Sequence, residues 1–289
     1  MIAITGATGH LGRLVIGSLI RRGVDPSEIA AAVRSPDKAS DLGARGVLVR
    51  EADYTRPDTL GPALEGVDTL LLISASDIGR RAEQHRNVIE AAQRAGVGRI
   101  VYTSLANVDT SPMGLAEEHR QTEAELRASG VPHVLLRNGW YFENYTAQLP
   151  QYLAHGAILG SAGDGRISAA TRADYAEAAA AVLTSEGHDG ETYELGGDDA
   201  FTVPELAEEI TRQSGTEVVY RDLPVDEYEQ ALRDAGLPEP VAALYADFDR
   251  AISGGHLYVE SDALRRLIGR PTTPLADAVG EALRAAETP

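Results

Sequence analysis

The first twelve residues, Met1-Ile-Ala-Ile-Thr-Gly-Ala-Thr-Gly-His-Leu-Gly12, constrain this chain more than any other stretch. An apolar run over residues 2–4 leads into glycines at Gly6, Gly9 and Gly12. Helical spacing then starts at once, with Leu11, Leu14, Val15, Leu19 and Ile20 on one face. Strand, glycine turn and helix are therefore expected in immediate succession. Gly6 permits the tight turn out of the strand, Gly9 lets a phosphate reach backbone N–H groups with no Cβ in the way, and Gly12 lets helix and strand pack closely. The N-terminus of the helix then faces the anion. A Gly-rich turn with no ligand is the plainer alternative, but the strand before it and the helix after it favour a dinucleotide site.

Composition narrows the partners. A formal net charge of −18 argues against nucleic acid, whose phosphates attract Lys/Arg surfaces. The absence of cysteine excludes disulfides, thiolate nucleophiles and Cys-based metal sites. No His, Asp or Glu spacing resembles a metal site either, since Glu117-Glu118-His119 is too tightly spaced along a helix for facing ligands. Met1 leads straight into the first strand and no apolar run is long enough to span a bilayer, so a soluble cytoplasmic protein is expected, with no membrane insertion. Monomer and homodimer both remain open.

Further along, residues 28–33 read as a second buried strand ending in Arg34-Ser35-Pro36. An acidic residue at this position would accept from the ribose 2′-OH of NAD, whereas arginine suits the 2′-phosphate of NADP. Arg34, with Ser35 and Lys38, points to NADPH; a solvated loop arginine is the alternative. Residues 46–50 form a third strand, which places Asp53 and Tyr54 beyond its carboxyl end near an adenine, although a turn or cap suits Asp53 nearly as well. A fourth, apolar strand over residues 68–73 opens into Ser74-Ala-Ser76, small residues past which a dinucleotide could lie. The helix within residues 79–96 carries Arg80, Arg81, Gln84 and His85 in its first turns. Cations there oppose the helix dipole, which suggests a compensating anion, with solvated surface the alternative for Arg80 and Arg81.

Residues 99–104 are a fifth strand with Ser104 at its end, and residues 133–138 a sixth that breaks at Asn138-Gly139 into the aromatic segment Trp140-Tyr-Phe-Glu-Asn-Tyr145. The alternation predicts an α/β fold, a Rossmann-like doubly wound parallel sheet. Residues 171–183 form an Ala-rich helix opened by Thr171, residues 191–195 another strand, and the chain from Phe201 onward mostly helices with at most one strand near residues 216–221. Residues 1–200 are expected to form the NADP(H)-binding domain, with residues around 139–165 contributing to the substrate cleft, and residues 201–289 a smaller C-terminal lobe covering it.

The motifs together resemble the short-chain dehydrogenase/reductase superfamily and, within it, the atypical NmrA-like group that includes flavin-free bacterial quinone reductases. The resemblance rests on Ile4-Thr-Gly-Ala-Thr-Gly9, Leu72-Ile-Ser74, Gln84-His-Arg-Asn87, Tyr102-Thr-Ser104, Glu118-His119 with Thr122-Glu123, Leu136-Arg-Asn-Gly-Trp-Tyr141, Ala169-Ala-Thr-Arg-Ala-Asp-Tyr175 and Gly269-Arg-Pro-Thr-Thr273. It implies NADPH held by Gly6, Ala7, Thr8, Gly9, His10 (through its backbone) and Leu11, by Arg34, by Ser76, Asp77 and Ile78, by the helix start from Arg81 through Gln84 and His85 to Arg86, and by Arg172.

One departure from the superfamily is chemically informative. Ketone reductases of this kind carry Tyr-x-x-x-Lys, the tyrosine protonating the developing alkoxide. Aligned on Glu123, Leu115 stands at the tyrosine position and His119 at the lysine position. Ser104 survives, yet a serine alone stabilises an alkoxide poorly. A quinone avoids the difficulty, because the anion formed is a phenolate whose conjugate acid lies near the tyrosine value of about 10. His119 could hold the nicotinamide ribose or act as a weak acid near neutral pH, and helix packing is its ordinary alternative. Asn138 could bond the nicotinamide amide or cap the turn, and Trp140, Tyr141, Phe142 and Tyr145 could flank a flat acceptor or serve as core of the second lobe. The expected activity is NADPH-dependent, flavin-free hydride transfer to a quinone or similar planar acceptor. A redox sensor that binds NADP(H) without turnover is the alternative, and dyes or aromatic double bonds are alternative acceptors.

Overall fold

In the computed structural model, which describes residues 1–287, β1 (Ile2–Thr5) enters α1 (His10–Arg21) through the glycine turn. There follow β2 (Ile29–Val33), α2 (Ser40–Ala44), β3 (Leu48–Glu51), α3 (Pro57–Ala63), β4 (Thr69–Leu72), α4 (Arg81–Ala95), β5 (Arg99–Leu105), α5 (Gly114–Ser129) and β6 (His133–Asn138). Next come α6 (Glu143–Thr146), α7 (Leu149–His155), β7 (Ala157–Gly160), α8 (Arg172–Leu183) and β8 (Thr192–Leu195). The remainder holds α9 (Val203–Ser214), β9 (Val219–Asp222), α10 (Val225–Asp234), α11 (Glu239–Ser253), α12 (Ala263–Ile268) and α13 (Leu275–Glu287).

Seven strands form one parallel sheet in the order β3-β2-β1-β4-β5-β6-β8. Ile2 pairs with Ile29 on one side and Thr69 on the other, so β1 is central and the strand order reverses beside it. In such sheets a crevice opens beyond the carboxyl ends of the strands at the reversal. Apolar residues cover both faces. Val15, Leu19, Tyr175 and Ala179 pack on one face, from α1 and α8; Leu60, Val88, Ala92 and Leu126 pack on the other, from α3, α4 and α5. The alanines of α8 are small enough to bring it close against α1, and Ala176, Ala178 and Ala180 are fully buried.

Three differences from the sequence reading have local causes. Residues 26–28 form a 3-10 turn in which the Asp25 carboxylate accepts the Ser27 N–H, so β2 starts at Ile29. β5 continues through Ser104 to Leu105, because β6 pairs with it as far as Asn138. β7 leaves the main sheet and pairs in parallel with β9. Residues 141–160 thereby join a third apolar cluster, in which Phe142, Leu149, Tyr152 and Ile158 pack with Phe201, Leu206 and Ile252. Gly139 makes the exit from β6 feasible, since a Cβ there would sit 2.9 Å from the Leu195 carbonyl oxygen of β8. Among the described residues no helix is long and apolar enough to cross a membrane.

Candidate active site

A cleft of about 630 Å³ lies where the strand order reverses, a size typical of a small-molecule site. Its floor is the glycine turn. Gly6 adopts φ +58°, a conformation that favours glycine, and accepts the Gly9 N–H at 2.9 Å. A Cβ on Gly12 would stand 2.5 Å from the Gly6 carbonyl oxygen and 2.7 Å from the Ala7 Cα, so only glycine lets α1 cross the turn this closely. No side chain caps α1 and its first turn holds no acid, which leaves its terminal N–H groups free of side-chain acceptors. A phosphate fits this cradle. Thr8, Gly9, His10, Leu11 and Gly12 line the cleft with Gly6, whereas Ala7 is fully buried beneath the turn and is corrected to a packing role.

Arg34, Ser35 and Lys38 form the wall beyond β2. Among the described residues neither Arg34 nor Lys38 forms an ion pair, in a chain with 44 acidic residues. Asp53 lines the cleft and also makes the turn expected of it, accepting from the Thr55 N–H at 2.9 Å and the Thr55 hydroxyl at 2.8 Å. Partial burial pushes its carboxyl upward, but those bonds and the charges of Arg34 and Arg56 outweigh this and hold it below the usual carboxylate range.

The segment after β4 is strapped down by buried polar groups. Ser74 donates its N–H to the Thr103 hydroxyl and Ala75 donates to His85 Nε2, both at 2.9 Å. The Ala75 carbonyl accepts from Arg81 Nε at 2.6 Å, and Gln84 donates to Asp77 at 2.8 Å. Since His85 Nε2 accepts, Nδ1 carries the proton and donates to the Thr122 hydroxyl at 2.9 Å. Burial, with Arg81 nearby, pushes His85 down to about 3 and keeps it neutral.

The anion expected at the start of α4 belongs to the protein itself. Glu118 of α5 accepts the N–H groups of Gly79 and Arg81 and pairs with the Arg81 guanidinium at 3.0 Å. Arg81 and Gln84 still line the cleft with Ser74, Ser76 and Asp77. Three assignments are corrected. His85 is fully buried as the brace of Ala75, Arg86 is held by Glu125 on the outer face of α4, and Ile78 is exposed beyond the cleft wall.

The candidate catalytic side chains divide sharply, and Tyr141 alone among them lines the cleft. Its ring lies beneath the Arg172 guanidinium at 4.5 Å and edge-on to Tyr175, and burial raises its phenol above the ordinary value. Arg172 also lines the cleft, at the first position of α8, where the Glu143 carboxylate accepts its backbone N–H. Ser104 is corrected: strand alternation turns its hydroxyl toward α5, where it donates to Glu123 at 2.7 Å. Glu123 also takes both arms of Arg137, so Ser104 belongs to a buried ion-pair network.

His119 is corrected too. It is nearly fully buried, its Nδ1 lies 2.6 Å from the Tyr102 hydroxyl, and burial with the nearby charge of Arg81 holds it well below its ordinary pKa. Burial thus disfavours the charged form that an acid near neutral pH would need. Asn138 is buried behind Tyr141, to whose hydroxyl it donates at 3.4 Å, and Trp140 packs edge-on against Phe248 of α11 in the C-terminal cluster. Neither lines the cleft. Phe142 stacks on Phe201 and is core.

Sequence reasoning missed Thr103, Glu118, Glu143 and Arg13. Thr103 follows from strand parity once the end of β5 is placed. Arg13 was detectable as a cation in the first turn of a helix, where the dipole disfavours it.

Fold and cleft together define a dinucleotide-binding protein of the Rossmann type. The chain belongs to the NAD(P)H-binding, NmrA-like family, the NAD(P)H-binding match covering residues 6–186. It is 54% identical to quinone oxidoreductase 2 of Escherichia coli, over 96% of this chain and 97% of that protein. The crystal structure of the E. coli protein complexed with NADPH superposes with a TM-score of 0.95 at 53% identity, covering 98% of this chain and 100% of the other. Triphenylmethane reductase of Citrobacter sp., complexed with NADP(H), gives a TM-score of 0.93 at 40% identity over 98% and 100% of the two chains. An NmrA-like oxidoreductase of Aspergillus flavus is 31% identical over 97% of this chain and 94% of that protein.

Proposed function

We propose that the chain is an NADPH-dependent oxidoreductase, acting in the cytoplasm, that delivers hydride directly and without flavin to a quinone or similar planar, electron-poor acceptor. NADPH, when bound, supplies the hydride. The first-turn N–H groups of α1 and the turn from Gly6 would hold its pyrophosphate, and Arg34 with Lys38 its 2′-phosphate. Tyr141, backed by Arg172 and Tyr175, forms an aromatic wall suited to ordering flat rings.

One observation carries the choice of acceptor. The three side chains at the positions of a ketone reductase's acid machinery are all diverted: Leu115 packs with the C-terminal cluster, Ser104 donates to Glu123, and neutral His119 contacts Tyr102. Tyr141 remains, but burial makes its phenol a weaker acid than usual. An acceptor whose reduced anion is stable in its own right, as a quinone's is, needs no such donor.

Mixing the purified protein with NADPH and a small naphthoquinone, and in parallel with an aliphatic ketone, tests this. Rapid protein-dependent loss of NADPH absorbance with the quinone and none with the ketone is expected. Clear turnover of the ketone would refute the acceptor assignment. Tight NADPH binding without oxidation by any quinone would make the protein a cofactor sensor instead.

A further inference from the structure

We infer that Arg13 is a positioning residue for cofactor selectivity: it ties the pyrophosphate turn to the 2′-phosphate loop without touching the cofactor. The inference rests on the NADPH reading above. Arg13 stands in the first turn of α1, where a cation opposes the helix dipole and does nothing for the helix. Each of its three guanidinium nitrogens donates elsewhere. Nε donates to the Thr8 carbonyl at 3.2 Å, Nη2 donates to the Lys38 carbonyl at 2.9 Å, and Nη1 pairs with Asp41. A planar fork can hold three acceptors on separate segments in fixed geometry, which a single ammonium cannot.

The segments joined are the two phosphate-binding walls. Thr8 lines the cleft from the glycine turn, and Lys38 lines it from the loop that also carries Arg34 and Ser35. That loop has little else to fix it. Its 3-10 turn, Pro36–Ala39, starts at Ser35 with no side-chain cap, and within it only Ala39 is buried. Arg13 thus links Thr8 and Lys38 directly through a single side chain. A ligand with both a pyrophosphate and a 2′-phosphate must match that spacing, whereas NAD+ engages the turn and leaves the 2′-phosphate groups unused. Since Arg13 lies outside the cleft wall and its three nitrogens already have partners, direct contact with phosphate does not account for its placement.

Two variants, R13M and R13K, separate bridging from charge. Calorimetric titration of each with NADP+ and NAD+ reads affinity directly, and urea unfolding shows that each variant is folded. R13M should raise the Kd for NADP+ about tenfold, the equivalent of one charge-assisted hydrogen bond, and change that for NAD+ by less than about twofold. R13K keeps the charge but loses the fork, and should behave like R13M. Wild-type affinity in R13K would show that charge alone matters and overturn the proposal, as would equal losses for both cofactors or no loss in either. Failure of the wild type itself to prefer NADP+ would instead overturn the cofactor reading beneath it.

Discussion

Glu118→Gln isolates the charge that straps the segment after β4. The Arg81 and Glu118 side chains are 6% and 13% exposed and meet at 3.0 Å. Glutamine retains a carbonyl oxygen that can accept the Gly79 and Arg81 N–H groups, so the backbone bonds survive and what is lost is the ion pair. Burial already draws the Arg81 guanidinium below its ordinary pKa, with Glu118 opposing that shift. Removing the carboxylate leaves a buried cation uncompensated, at a cost of about 3–5 kcal/mol. The retained bond from Arg81 Nε to Ala75 places the expectation near the lower end, about 3 kcal/mol. Arg81→Met in the Glu118→Gln background removes the stranded charge and should recover most of that loss, giving a coupling of about 2 kcal/mol or more. Urea unfolding followed by circular dichroism on wild type, both single variants and the double variant completes the cycle. If Glu118→Gln lies within about 1 kcal/mol of wild type, or the double variant is additive, the strap does not work as an ion pair.

Arg34→Glu replaces an unpaired cation at the 2′-phosphate wall by an anion. NADPH affinity should fall about a hundredfold, the scale of a charge-assisted pair lost, while NADH affinity changes little; equal losses in a binding titration would contradict the assignment. Asp249 of α11 accepts the Ser161 N–H at 2.7 Å, and burial, with the charge of Asp222 adding to it, pushes its carboxyl up to about 6. A folded-state pKa raised above the unfolded value gives stability that is fully present below the unfolded value near 3.8 and lost as pH rises through about 6. Asp249→Asn keeps an acceptor for Ser161 and removes the buried charge. It should be more stable than wild type at pH 8, by up to about 3 kcal/mol, with the advantage vanishing below about pH 4. Parallel stability curves across that range would contradict it.

Much of the fold was legible because its signals are local. The glycine spacing, the 3.6-residue periodicity of α1 and the apolar runs of β2 and β4 each follow from a handful of neighbouring residues. Part of the cleft lining was legible for the same reason, since the glycine turn and Arg34 lie where the local chain places them. What escaped depends on contacts between distant segments. Nothing near Arg81 announces that its anion comes from Glu118, 37 positions away, nor does the aromatic run reveal that Tyr141 faces the cleft while Phe142 stacks on Phe201. Strand parity separates the two hydroxyls: with β5 running through Leu105, Thr103 faces the cleft side and Ser104 the α5 side. The paired motifs around Thr171 and Arg270 make sense only in three dimensions, where buried Asp174 takes the Arg270 guanidinium and the Thr273 N–H and fixes the start of α8 beside Arg172.

That diversion of polar groups has a chemical consequence. On the inner face of α5, Glu118, His119 and Glu123 are committed to Arg81, Tyr102 and Arg137, so titratable groups that could have moved protons instead hold the sheet and the segment after β4 in place. A group that must gain and lose a proton in each turnover cannot also be a fixed partner in a buried ion pair without straining the fold at every cycle. Glu118, His119 and Glu123 are thereby kept off the cleft lining as proton donors. Under the proposed function this arrangement suits acceptors whose reduced anions need no enzymic proton, with Tyr141 as the wall against which they would be ordered. On the proposed reading, alkyl ketones are expected to be turned away for want of a proton donor, without any need for steric exclusion.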